Sequence, residues 1–189
     1  MIEVCENILE SSIPLDNYIN DVGDFDFELI RPMPPIVKEL VFMAPSKEEI
    51  EEIRKKGDIV LYNKYHLCDV AEEKTGSRSQ KEWCLKNWGT KKNATTKRIS
   101  DDKRVIHFST QWNPPTEILE ELARIHPEAK FILKFVEPML YFSGRMIYEG
   151  DGKVPDYKEY RMSEPEGEEI AYEILGKNYF DNEFWYGIM

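Results

Sequence analysis

At 189 residues, with 41% hydrophobic and 12% aromatic content, the chain suits one domain with a real core, alone or with appendages, and not a disordered segment. Its 36 acidic residues against 25 basic ones leave a formal charge of −11, which argues against general binding to a phosphate backbone and favours a basic partner. Cys5, Cys68 and Cys84 show no metal-like spacing, no apolar run nears the roughly 20 residues of a membrane span, and the first residues lack the pattern of a signal peptide, so a cytoplasmic protein with reduced thiols is expected.

Residues 2 to 10 predict a strand covered on both faces, with Ile2, Val4 and Ile8 on one parity and Cys5, Asn7 and Leu9 on the other. Pro14 opens a short helix through Tyr18 and Ile19, and Phe25 to Ile30 reads as extended. The prolines of Arg31-Pro-Met-Pro-Pro35 read as a rigid connector that is neither helix nor central strand. Ser46 and Glu49 form a capping box for a helix through Ile50 and Ile53 to Gly57. Ile59 to Tyr62 fits either a strand or a helix start, and Ser77 or Ser79 caps the next helix.

That next helix carries Trp83, Cys84, Leu85 and Trp88 on a broad apolar face and stops at Gly89, the expected left-handed C′ position. Its tryptophans anchor it on a sheet or, alternatively, present an aromatic for stacking on a ligand or base. From Lys86 to Arg104 seven cations (Lys86, Lys91, Lys92, Lys97, Arg98, Lys103, Arg104) face only Asp101 and Asp102, a basic island in an acidic chain. Asn93 to Ser100 and Val105 to Trp112 predict a β-hairpin, with Ile106, Phe108, Thr110 and Trp112 on one face. Asn113-Pro-Pro-Thr116 opens an amphipathic helix buried through Ile118, Leu119, Leu122, Ala123 and Ile125 and stopped at His126-Pro127. Phe131 to Val136 and Tyr141 to Tyr148 are two more strands, with Gly144 marking a bulge or a close approach.

After Pro155 the chain turns acidic. Glu164, Glu166, Glu168, Glu169 and Glu173 surround the apolar side of a short helix, and Tyr179-Phe180 and Phe184-Trp185-Tyr186 form an aromatic tail that packs back on the domain or docks on a partner. The organisation expected is a domain over 1–150, with an insertion at about 31–82, followed by an acidic aromatic C-terminal extension over 151–189.

Asn87-Trp-Gly-Thr-Lys91 followed by Phe108-Ser-Thr-Gln-Trp-Asn-Pro-Pro115 resembles the YubB-like family of phage and plasmid proteins with a ferredoxin-like domain. Cys5-Glu-Asn-Ile-Leu9, Ile30-Arg-Pro-Met-Pro34, Phe135-Val-Glu-Pro138 and Phe142-Ser-Gly144 extend the likeness over most of residues 3 to 150. Lys92 stands where the family pattern has an aromatic, and residues 46 to 76 look particular to this chain. The resemblance implies an α+β fold, a ferredoxin-like antiparallel sheet with helices on one face, and an origin on mobile DNA. It brings no catalytic residue.

No phosphate loop, nucleophile elbow or metalloprotease helix is present, and His66-Leu-Cys68-Asp69 lacks a second ligand pair, so no catalytic residue, metal site or cofactor is assigned. His107 and His126 read as a strand-face polar residue and a helix-dipole partner. Two functional readings follow. The first is a non-enzymatic interaction protein of a phage or plasmid, in its sharpest form an anti-defence inhibitor of a CRISPR-type or other nucleic-acid-handling effector. Its acidic surface, at Glu164, Glu166, Glu168, Glu169, Glu173 and Trp185, would meet a basic host or defence protein. The second is a nucleic-acid or nucleotide-binding module using Trp88, Lys91, Lys92 and Trp112. A small enzyme with a site built from scattered residues is a third and weaker reading.

Overall fold

The computed structural model describes residues 4–139, 141–150 and 155–176. The first strand, β1 (Val4–Ser11), buries Cys5 and Leu9 on one face and Ile8 on the other, the double coverage its sequence predicts for a central position. The expected helix after Pro14 is a single 3-10 turn at Asp16–Tyr18. The piece expected to be extended keeps one bridge, Ile19 to Phe25, and then tightens into a second 3-10 turn at Phe27–Leu29. Tertiary bonds override the local alternation there. Asp26 accepts from Glu28 N, while the amides of Phe25 and Phe27 donate to Thr96 Oγ1 and Asn93 Oδ1.

The proline connector also differs from expectation, because Pro35 opens the helical turn α1 (Pro35–Lys38). At that first position its missing N–H costs nothing. In α2 (Lys47–Lys56) the capping box forms, with Glu49 N donating to Ser46 Oγ at 3.2 Å and Ser46 N to Glu49 Oε2 at 2.8 Å. Residues 59 to 62 resolve as the start of α3 (Ile59–Thr75), which Asp58 caps. Leu40, Cys68 and Ala71 give this insertion a small core of its own. Arg78 ties it down through Asp69 at 2.9 Å and the carbonyl of Pro45 at 3.0 Å. Ser79, of the two candidates, caps α4 (Gln80–Trp88), and Gly89 ends it with φ +77°.

The predicted hairpin is β2 (Thr95–Ile99) and β3 (Val105–Gln111), followed by α5 (Thr116–Ile125), which buries Ile118, Leu119, Leu122 and Ala123. Next come β4 (Phe131–Glu137) and β5 (Phe142–Tyr148), joined where Gly144 lies against the Phe135 ring and the carbonyl of Lys158, the close approach its position suggested. A further strand, β6 (Asp156–Arg161), escaped the sequence reading. Its Asp-Tyr-Lys-Glu-Tyr-Arg run has no apolar alternation, because it is a charged edge with almost every side chain exposed. The helix α6 (Pro165–Leu175) completes the described chain.

All pairings in the six-stranded sheet are antiparallel, in the order β2-β3-β1-β4-β5-β6. The run β2-β3-β1-β4, with α4 and α5 on one face, is the ferredoxin-like arrangement, and the β5–β6 hairpin widens it. The principal core joins this face to the helices through Leu9, Phe108, Leu122, Leu133 and Phe135. The acidic helix α6 lies across the opposite face, on Val136 and Met162, and Ser143 Oγ donates to Gly167 O at 2.9 Å. Lys134 reaches from that face to Glu10 at 2.7 Å and Glu173 at 2.6 Å.

Candidate functional site

The two tryptophans of α4 and the turn after β3 form a clasp. Trp83 and Trp88 meet edge to face at 5.4 Å, and Trp88 packs on Phe27 at 5.8 Å. Both are buried, and Trp88 Nε1 donates to the carbonyl of Arg31 at 2.9 Å. Thr90 Oγ1 donates to Gln111 O at 2.8 Å, stitching the end of α4 to the end of β3. Gly89 is required twice over: its φ is positive, and a Cβ would drive into the carboxylate of Glu117.

Trp112 departs from expectation. It does not continue the buried row of Ile106, Phe108 and Thr110 but is 43% exposed, with φ +77°. Bonds on either side impose this turn. Thr110 Oγ1 donates to Asn113 O at 2.8 Å, and the Thr90 bond holds Gln111. A non-glycine residue held left-handed is strained, and the strain is offset by these neighbours. The ring so presented carries the Lys91 ammonium on its face, with Lys81 Nζ 5.7 Å from its centroid.

Two grooves flank α4. On one side lies a basic cleft of about 920 Å³ that brings together three of the sequence-predicted binding residues, Trp88, Lys91 and Lys92, joined there by Lys81, while Trp112 does not line it. Its floor is buried Leu40, Cys84 and Trp88, and its outer lip holds Val41 and Met43, 83% and 92% exposed. Trp88 contributes an apolar floor and not a stacking surface, because its faces are packed. Burial pushes the Cys84 thiol up to about 12, the charge of Glu28 assisting, so it stays protonated and unreactive at neutral pH. Burial raises Cys5 and Cys68 as well.

On the other side of α4 is a groove of about 580 Å³ between α5 and β6. Phe142, Met146 and Tyr157 floor it, and Glu117, Glu120 and Glu159 are its acids. Tyr157 stacks on Phe135 at 6.0 Å and donates its hydroxyl to Glu159; partial burial and that bond hold the phenol above its ordinary range. A third surface is α6, where Glu164, Glu166, Glu168, Glu169 and Glu173 are all exposed. Glu173 is engaged by Lys134, whereas the other four make no ion pair among the described residues. Trp185 and the rest of the aromatic tail lie outside the described residues.

The basic island is less available than its charge suggests. Lys97 pairs with Glu6 at 2.6 Å, and Arg104 stands 4.0 Å from Asp102. Sequence reasoning missed Val41, Met43, Lys81, Tyr157 and Glu159. The triplet Val41-Phe-Met43 looks like core in a sequence, and only the fold reveals that its ends face solvent. His126 Nε2 lies 2.7 Å from Tyr18 Oη, a structural partnership at the end of α5. Among the described residues no group of three or more His, Cys, Asp or Glu side chains is placed to hold a metal, and no helix is long and apolar enough to cross a membrane.

Residues 91–175 match the family model described as the ferredoxin-like domain in Api92-like protein. The match begins at Lys91 in the clasp and runs through β6 and α6, so the charged edge strand and the acidic helix fall inside the similar region. Neither the curated proteins nor the solved structures give a match to this chain.

Proposed function

We propose that this protein works by binding another protein through its acidic surface, as a non-enzymatic accessory factor of a phage or plasmid, with a host or defence protein of basic surface as its partner. An inhibitor of a CRISPR-type effector is the sharpest form of that reading. The observation that carries it is α6. Glu164, Glu166, Glu168 and Glu169 stand exposed, without ion pairs among the described residues, on a helix whose apolar side is fixed to the sheet by Ile170 and Ala171. Carboxylates held in one place on a rigid element steer and orient a cationic partner without the cost of ordering a loop. The net charge of −11 adds long-range attraction of the same sign. The origin on mobile DNA rests on the motif resemblance.

The test is capture of partners from host cells by the full chain beside a variant with Glu164, Glu166, Glu168 and Glu169 changed to Gln. The captured protein is then purified and titrated directly. A basic partner whose affinity falls at least tenfold in the variant, and again on raising salt from about 0.1 to 0.5 M, is expected. Equal binding by both chains at both salts overturns the reading.

A nucleic-acid module using Trp88, Lys91, Lys92 and Trp112 is supported less well. Trp88 is buried, Lys91 already covers the Trp112 ring, and Lys97 is paired. A mobility shift of single-stranded oligonucleotides at low salt, lost in Lys91→Ala with Lys92→Ala, would restore it.

A further inference from the structure

The basic cleft has a chemistry opposite to that of the surface proposed above. Its floor is apolar, and Val41 and Met43 at its lip are almost wholly exposed. A methionine at such a lip adapts its shape to different apolar partners. Lys81 and Lys92 stand at the same cleft and form no ion pair among the described residues. Lys91 leans over Trp112. The one acid lining the cleft, Glu28, is occupied by Lys38 at 2.8 Å and by the amide of Met33 at 3.1 Å. Exposed methionine and valine beside a buried floor mark an interaction site, and lysines around it select negative charge.

We infer that this cleft docks an acidic amphipathic helix from a partner protein, its apolar face on Leu40 and Trp88 between Val41 and Met43, its carboxylates on Lys81 and Lys92. The helix-in-groove mode needs an apolar trough with charges along its edge, which these residues provide. A nucleic-acid strand fits worse. Phosphates gain nothing from Val41 and Met43, and bases find no open ring face at Trp88, which Phe27 and Trp83 cover. The cleft and α6 are separate surfaces on different sides of the sheet, so the inference stands whether or not α6 binds a basic partner.

The experiment uses the full chain and fluorescein-labelled probes of about 12 residues with Leu and Phe at i, i+3, i+4 and i+7 and Glu elsewhere. The same peptide with Lys in place of Glu and a single-stranded oligothymidylate serve as competing probes. Anisotropy should show binding of the Glu probe. Val41→Asp with Met43→Asp, and separately Lys81→Glu with Lys92→Glu, should each weaken it at least about tenfold while thermal unfolding is unchanged, since all four side chains are surface groups. The variant with four glutamines on α6 should bind the Glu probe like the parent. Equal or tighter binding of the Lys probe, displacement of the Glu probe by the oligonucleotide, or unchanged affinity in both cleft variants would each overturn the inference.

Discussion

The acidic groove and the basic cleft share a wall, the nine-residue helix α4, yet differ in nearly everything else. Leu85 and Gly89 face the groove, whereas Lys81, Cys84 and Trp88 face the cleft. The acids of the groove come from α5 and β6, and the cations of the cleft come from α4 itself and the turn after it. The floors also differ: the groove is floored by strand residues of the widened sheet, the cleft by Leu40, beyond α1, and by Cys84 and Trp88 of α4. The contrast teaches that the tryptophan motif does not itself select a partner. It builds a rigid partition, and the residues along each rim give each side its charge.

Removing the partition disturbs both sides of α4 at once. Trp88→Ala empties a buried site packed by Phe27 and Trp83 and leaves the Arg31 carbonyl without its donor. A loss of about 3–5 kcal/mol is expected, read as a large fall in the urea midpoint, and binding of the acidic probe at the cleft should weaken with it. Gly89→Ala is next, at about 1–3 kcal/mol, because it forces a side chain into a left-handed position against Glu117. An unchanged melting temperature in that variant would mean that the clasp relaxes easily.

Rim substitutions act on one side of α4 and leave the partition intact. Glu120→Gln with Glu159→Gln, and Lys81→Gln with Lys92→Gln, should each move stability by no more than about 0.5 kcal/mol. The lysine pair should weaken binding of the acidic probe at the cleft, and the glutamate pair should leave it unchanged.

The smallest effect is one of pH, on the sheet face away from both grooves. Burial first, then the charge of Arg98, lowers His107 below its ordinary value, although Glu173 and Glu10 pull the other way. The unfolded chain therefore takes up the proton first as pH falls. The contribution of His107 is complete above about pH 6.5 and is lost below it. Between pH 7.5 and 5.5 the parent should lose more stability than His107→Gln, a difference that chemical denaturation at each pH would measure.

Much of this fold is legible in the sequence where periodicity and capping agree. The Ser46 box, the stop at Gly89, the stripe of α5 and the alternation of β3 and β4 are all local signals, and each element forms, although Ile125 at the end of the stripe and Trp112 after β3 are exposed and not buried as read. The failures have physical causes. Phe25 to Ile30 alternates like a strand, but Asn93 and Thr96 from the far hairpin take its amides. Trp112 keeps strand parity in the sequence and is turned outward by two threonine hydroxyls. The edge strand β6 has no apolar face to betray it. The Trp88, Lys91 and Lys92 cluster is legible because it is contiguous, whereas the groove between α5 and β6 joins residues about forty positions apart and exists only in the fold.

The central place of β1 bears on synthesis. Asn7 Nδ2 finds the carbonyl of Phe108, 101 residues further on, and Glu10 finds Lys134 across 124. At synthesis rates of roughly 5–20 residues per second, β1 waits on the order of ten seconds for both of its neighbours. Until β3 is made, β1 has both edges open and its Cys5, Ile8 and Leu9 uncovered, while α2, α3 and α4 can already close on local contacts. A product that stalls before Phe131 leaves β1 with one edge unpaired, and one that stalls before Val105 leaves it with none paired. Incomplete chains, more than the finished protein, are the species that would need a chaperone or a protease.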